Sequence, residues 1–206
     1  MNLAPTVLVV DDDPFMRIVL QRVFVNAGIA VKTFASAAEL IDTGDLRPPV
    51  VLLLDVKMPG MSGLELQAFL RARGIILPVM FLTGSSDIPM AVEAMRNGAV
   101  DFLEKPFDND ELVTRVRRVM AQCAQPETLP GRKTDNDTAR RLRTLTARER
   151  EVYDCMIVGK TSKVIAVELG GSFRTVEIHR GRVMGKMGAT HLADLVRMAF
   201  EIEGSA

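Results

Sequence analysis

The 206-residue sequence predicts an α/β domain, a five-stranded doubly wound parallel sheet, followed by a small all-α domain of four helices. Three observations carry that prediction. Apolar strand-like runs alternate with helix-like segments from Thr6 to Gln122, the order that βα units impose on a parallel sheet. The stretch VVLLLDVKMPG, Val50 to Gly60, runs five apolar residues straight into an aspartate. A short unbroken apolar run of this kind reads as a strand buried on both faces. From Leu145 onward no strand signal competes with helical periodicity.

Thr6–Val10 is the first strand, and it ends in Asp11, Asp12 and Asp13. Pro14 suits the first turn of a helix whose apolar positions run to Gly28. A short second strand, Val31–Phe34, precedes a short helix over Ala35–Ile41. Val50–Leu54 is the third strand, broken afterwards at Pro59, Gly60 and Gly63, with a helix over Gly63–Arg73. Val79–Leu82 delivers Thr83, and a helix over Asp87–Asn97 stops at Gly98, a good C-cap residue. Val100–Leu103 delivers Lys105, and Asp108 or Asn109 caps a last helix through Leu112, Val113, Val116 and Met120.

Residues 123–142 carry Pro126, Pro130, Gly131 and a polar run, and read as a linker whose end starts a helix. The expected domains are therefore 4–122, a linker over 123–142, and 143–206. In the last, Thr146 and Glu149 fit a capping box opening a helix through Val158. A short helix over Thr161–Leu169, a Gly170–Gly171 turn, a third helix capped by Ser172 and running to Met187, and a fourth over Thr190–Glu203 follow. Two helices joined by a tight glycine turn suggest helix-turn-helix.

A hydrophobic content of 48% and a charged content of 25% are ordinary for a soluble globular protein. The zero net charge hides a split: residues 1–122 are acidic by three and residues 143–206 basic by two, which hints at an anionic partner for the tail. Cys123 and Cys155 form neither a disulfide framework nor a metal spacing and read as free thiols. No apolar run approaches the roughly 18 residues of a membrane span, and the start lacks a signal-peptide pattern. The expected location is cytoplasmic, with no membrane partner.

The ends of parallel strands share one sheet edge, so Asp11, Asp12, Asp55, Thr83 and Lys105 can converge there. Crowded carboxylates repel unless a cation sits among them, and oxygen-only ligands favour Mg2+. Asp55 can form an aspartyl phosphate, with a lysine and a hydroxyl to neutralise the phosphoryl oxygens.

In the tail, at about 100° per residue, Val183 and Met187 fall within about 20° of Val176 and Met184 within about 80°. That is the core stripe. The opposite arc holds Arg174, Ile178, Gly181 and Gly185, flanked by Glu177 and Arg182. A basic helix after a tight turn can enter the major groove of DNA. Arg174, Glu177, Ile178 and Arg182 are assigned to base edges, and Lys163, Thr175, Arg180 and Lys186 to phosphates. His179 lies beside the core stripe and reads as structural.

VLVVDDDP, LLLDVKMPGMSGLEL, PVMFLTG and GAVDFLEKPF resemble the receiver domain of bacterial two-component response regulators, a flavodoxin-like fold. The tail resembles the LuxR-type DNA-binding domain, and the whole chain the NarL/FixJ class. The resemblance implies a phosphorylation-activated transcriptional regulator rather than an enzyme. Asp55 would be the phosphoacceptor, charged by a sensor histidine kinase. Asp11, Asp12, Asp55 and the Lys57 backbone carbonyl would hold Mg2+. Thr83 and Lys105 would bind the phosphoryl group, Phe102 would take the switch position, and Lys105–Pro106 would be a cis peptide. The resemblance also implies a homodimer on phosphorylation, through the face of residues 87–105. Promoter DNA and RNA polymerase are the implied partners. Gly171 and Gly181 depart from the family pattern, so no operator sequence follows. Two other classes compete. An aspartyl-nucleophile phosphotransferase or phosphatase would place its nucleophile after the first strand, not the third. An adaptor with a protein-binding tail is separated by a DNA mobility shift.

Overall fold

The computed structural model describes residues 6–44, 46, 50–84, 88–124 and 135–203. The strands β1 (Thr6–Val10), β2 (Ala30–Phe34), β3 (Val50–Asp55), β4 (Val79–Gly84) and β5 (Asp101–Lys105) form one sheet in the order β2-β1-β3-β4-β5. Every pairing is parallel, with Thr6 level with Val50 and Phe81 level with Phe102. β3 is buried along its apolar length, as its unbroken pattern requires, whereas the edge strand β2 alternates between exposed and partly buried positions before ending in the buried Phe34.

The helices α1 (Pro14–Asn26), α2 (Ala37–Thr43), α3 (Gly63–Ala72), α4 (Ile88–Arg96) and α5 (Asn109–Ala124) connect or follow the strands. Local chemistry sets their starts. Asp13 accepts from the Phe15 backbone to cap α1, with Pro14 as its first residue. Ser62 and Glu65 form a reciprocal capping box on α3. Expected and observed limits differ by one or two residues at most ends; Asp87 lies outside the described residues. On one sheet face Val7, Val9, Val51, Leu53, Met80 and Leu82 pack with Leu20 and Phe24 of α1 and Leu112, Val116 and Val119 of α5.

Residues 123–124 close α5, and residues 135–142 form a further helix, α6 (Asp135–Leu142), within the stretch expected to be linker. Arg141 of α6 donates to the Met187 carbonyl, and Thr138 is buried. α7 (Ala147–Ile157), α8 (Ser162–Glu168), α9 (Phe173–Met187) and α10 (Leu192–Glu203) follow, as the periodicity predicts. They close on a separate core of Val152, Tyr153, Met156, Ile165, Val183 and Leu195 among others. Thr146 and Glu149 make the expected capping box, and Ser172 caps α9. By compactness the chain divides into residues 1–84 with 97–128 and residues 85–96 with 129–206. Among the described residues no helix is long and apolar enough to cross a membrane. Cys155 is a free, buried thiol, while the Cys123 side chain lies outside the described residues.

Candidate functional site

The carboxyl ends of β1, β3 and β5 bring three of the expected residues together. The Lys105 ammonium lies 2.8 Å from Asp55 Oδ1 and 3.0 Å from Asp11 Oδ2. Asp11 is 1% exposed and the Asp55 side chain 14%, so this is a sheltered, charge-assisted contact rather than a surface pair. Burial pushes the Asp55 carboxyl above its ordinary pKa; the Lys105 contact opposes this, and the charges of Asp11 and Asp12 add to it. Burial works against the Lys105 charge, but its hydrogen bonds to Asp55 and Asp11 outweigh that and hold its pKa above the ordinary value. Thr83, fully buried within β4, donates to the neighbouring Gly84 carbonyl at 3.2 Å. Phe102 is buried on β5, and Lys105–Pro106 is cis as expected.

The residues expected to hold a metal ion lie around this contact. Among the described residues no three acidic or imidazole groups gather at ligand spacing. The Lys105 ammonium sits between Asp11 and Asp55 and supplies positive charge there. Asp12 is exposed and acts on Asp55 through its charge. The donor set suits a hard cation, being all oxygen.

Sequence reasoning missed the residue that holds the acidic loop. Arg17 Nη1 donates to the Asp11 carbonyl at 2.7 Å and the Asp12 carbonyl at 2.9 Å. A signal existed: a cation at the start of α1 opposes the helix dipole, which asks for another role. Also missed were Phe15, Ile18 and Val25, large apolar residues exposed along α1. Their spacing reads as an amphipathic helix from sequence, yet the helix turns other residues inward. A third omission is Asp101, fully buried at the start of β5 and bound by Arg115 at 3.0 Å and Arg118 at 2.7 Å. An aspartate flanked by Val100 and Phe102 has to find partners on burial.

In the helical tail the expected stripe is inward: Val176, Val183 and Met187 are buried. Lys163, Arg174, Thr175, Glu177, Ile178 and Arg182 are all exposed, and Arg180 is partly buried. An added Cβ at Gly181 or Gly185 would meet nothing within 4 Å, so both glycines face open space. Three of the expected DNA-contact residues also bond within the domain. Glu177 accepts from the Ser162 hydroxyl on α8, with Arg180 Nε 3.6 Å away, so its carboxylate is engaged within the domain. Lys186, itself exposed, donates to Glu149 at 2.6 Å and to the Thr144 carbonyl at 3.1 Å. Thr175 shares its hydroxyl with Ser172 at 2.8 Å as part of the α9 cap. His179 is partly buried, and among the described residues its Nδ1 has no hydrogen-bond partner.

Residues 7–117 match the family described as response regulator receiver domain, and residues 143–199 match bacterial regulatory proteins of the luxR family. The chain belongs to the response regulators. It is 44% identical over 193 residues to the transcriptional regulatory protein FixJ of Azorhizobium caulinodans, covering 93% of this chain and 90% of that one. The C4-dicarboxylate transport transcriptional regulatory protein DctR of Rhodobacter capsulatus is 43% identical, with 94% and 98% covered. Full-length FixJ from B. japonicum is 39% identical in its crystal structure, with a TM-score of 0.51 and 97% of each chain covered. The FixJ-N crystal structure covers 59% of this chain and 96% of its own at a TM-score of 0.54. This response regulator thus joins a receiver to a LuxR-type DNA-binding domain and regulates transcription through phosphorylation.

Proposed function

We propose that Asp55 accepts the phosphoryl group and that the helix-turn-helix of residues 143–206 then binds promoter DNA. The observation that carries this reading is the Lys105 ammonium held between Asp55 and Asp11 at one sheet edge. In that arrangement an Asp55 oxygen attacks phosphorus, the bond to the donor nitrogen of a phosphohistidine breaks, and the imidazole takes up a proton. Lys105 then transfers from the free carboxylate to the phosphoryl oxygens, and the Thr83 hydroxyl turns to donate to them. Asp11, Asp12, Asp55 and the Lys57 carbonyl are the residues that would hold Mg2+, which screens phosphoryl charge from the carboxylate.

The receiver spans 4–122 in this reading, the connection 123–142 includes the packed helix α6, and the DNA-binding domain spans 143–206. The exposed apolar residues of α1 lie on the helix that follows the acidic loop and suit a sensor histidine kinase docking by its own helices. Repacking of Phe102 transmits the event to a homodimer surface. Arg174, Ile178 and Arg182 face base edges, Lys163 and Arg180 face phosphates, and Glu177 orients Arg180 through the Ser162 bracket. RNA polymerase is the downstream partner, and the protein works in the cytoplasm. Support for regulation over enzymatic turnover comes from the helical tail and from the relatives' descriptions.

Acetyl phosphate with magnesium tests the assignment. Wild-type protein labels at one site, and Asp55→Asn keeps its melting temperature and loses the label. Labelling of Asp55→Asn at the wild-type rate would rule the assignment out.

A further inference from the structure

Arg17 stands where a cation is electrostatically out of place. It lies one turn into α1, near the helix end whose free N–H groups already carry partial positive charge. Its side chain leans back over the preceding turn, as helical side chains do. From there Nη1 donates to the Asp11 carbonyl at 2.7 Å and to the Asp12 carbonyl at 2.9 Å. The base of this arm is fixed. The Arg17 backbone donates to the Asp13 carbonyl at 3.1 Å, and Leu20 and Phe24 of the same helix are fully buried.

The two aspartates depend on Arg17 unequally. Asp11 is pinned from several sides. Its backbone donates to the Phe34 carbonyl at 3.2 Å, and its carboxylate accepts from the Asp13 backbone at 2.9 Å and from Lys105 at 3.0 Å. Asp12 is exposed, and among the described residues its one hydrogen bond is the one its carbonyl accepts from Arg17. The place of the Asp12 carboxylate beside Asp55 is therefore set by a backbone that Arg17 holds. We propose that Arg17 is a positioning residue that fixes the Asp11–Asp12 turn and so presents the Asp12 carboxylate to a divalent cation. This role rests on the assignment of Asp11, Asp12 and Asp55 as residues that would hold Mg2+. Charge and position predict opposite signs. As a charge alone, Arg17 repels a divalent cation, and its removal tightens metal binding. As a brace, it spares the metal the cost of ordering the turn, and its removal weakens binding.

Mn2+ titrated into full-length protein without a phosphodonor, followed by water-proton relaxation, reads that sign directly. Wild-type protein binds Mn2+, and Asp12→Asn, which removes a ligand, binds it more weakly. Arg17→Met binds Mn2+ about tenfold more weakly than wild type, within the range found for groups that orient metal ligands. Arg17→Lys, which keeps the charge and a donor on a shorter stem, recovers part of the loss. Circular dichroism and melting show that each variant is folded. Unchanged or tighter Mn2+ binding by folded Arg17→Met would overturn the proposal and leave the cation site standing. If Arg17→Met does not fold, Arg17→Lys carries the test, and an affinity equal to wild type overturns it. Wild-type protein that binds no Mn2+, or Asp12→Asn that binds as tightly as wild type, would instead remove the assumed cation site, and the role of Arg17 with it.

Discussion

Lys186 and Glu149 meet although 37 residues separate them in the chain, with Nζ 2.6 Å from Oε2. From sequence, Lys186 is a cation on the flank of a basic helix, and nothing local reveals its partner. Glu149 is legible only as a capping-box residue, a role it does fill. The Lys186 hydrogen bond first, and then the Thr146 backbone donor, lower the Glu149 pKa from its ordinary 4.5 to about 2. Because the folded-state value is depressed, the pair contributes stability above about pH 4.5 and loses it as pH falls toward 2. Lys186→Met is expected to lower the melting temperature at neutral pH, with the gap to wild type closing through that window. A gap independent of pH would show that Lys186 acts by packing alone. The same geometry predicts that Lys186→Met leaves the salt slope of DNA binding nearly unchanged, whereas Lys163→Ala reduces it by about one unit. Glu177 teaches the same lesson, since its Ser162 partner lies on another helix.

At the level of elements, glycines separate what patterning reveals from what only packing does. Gly63 reads from sequence as a chain break that opens a helix, and the structure makes it the first residue of α3, with an added Cβ 2.2 Å from the Asp55 carbonyl oxygen, a contact that patterning does not reveal. Backbone cannot yield there as a flexible side chain would. Gly63→Ala is expected to destabilise the receiver by about 1–3 kcal/mol and to disturb phosphorylation by moving the backbone of Asp55. Chemical denaturation and acetyl phosphate labelling of the same variant check both. Gly181 is the opposite case. It sits exposed in mid-helix with open space around it, where glycine costs about 1 kcal/mol against alanine. Gly181→Ala should therefore raise stability by about that amount, and if DNA approaches this backbone, it should also weaken operator binding. A stabilised variant with undiminished affinity would remove Gly181 from the interface. α6 escaped a full reading because its composition is polar. Its order comes from Asp137 pairing with Arg140 and Arg141, and from Arg141 reaching the Met187 carbonyl across 46 residues.

Over the whole molecule, the alternation of apolar runs was enough to predict five parallel strands, because a sheet buried on both faces leaves little latitude in composition. The convergence of Asp11, Asp55 and Lys105 was legible for the same reason: parallel strands end on one edge. What the sequence withheld were contacts spanning the chain, where the donor carries no sign of its acceptor. The last prediction concerns coupling between the two parts. The core of α7–α10 closes on its own residues, with Leu142 of α6 packed against it. A fragment of residues 135–206 should therefore fold alone and be more stable than 143–206, which lacks the Arg141 contact to the end of α9. If the unphosphorylated receiver restrains DNA binding, the 135–206 fragment binds operator DNA without phosphorylation, while full-length Asp55→Asn stays silent with acetyl phosphate present. Mobility shifts of both proteins, with circular dichroism confirming the fragment's fold, decide this. A folded fragment that binds no better than unphosphorylated full-length protein would mean that the receiver activates by supplying a dimer rather than by releasing a restraint. Joining two fragments through an unrelated dimerisation segment would then restore binding, since a second half-site contact acts at high effective concentration once the first is made.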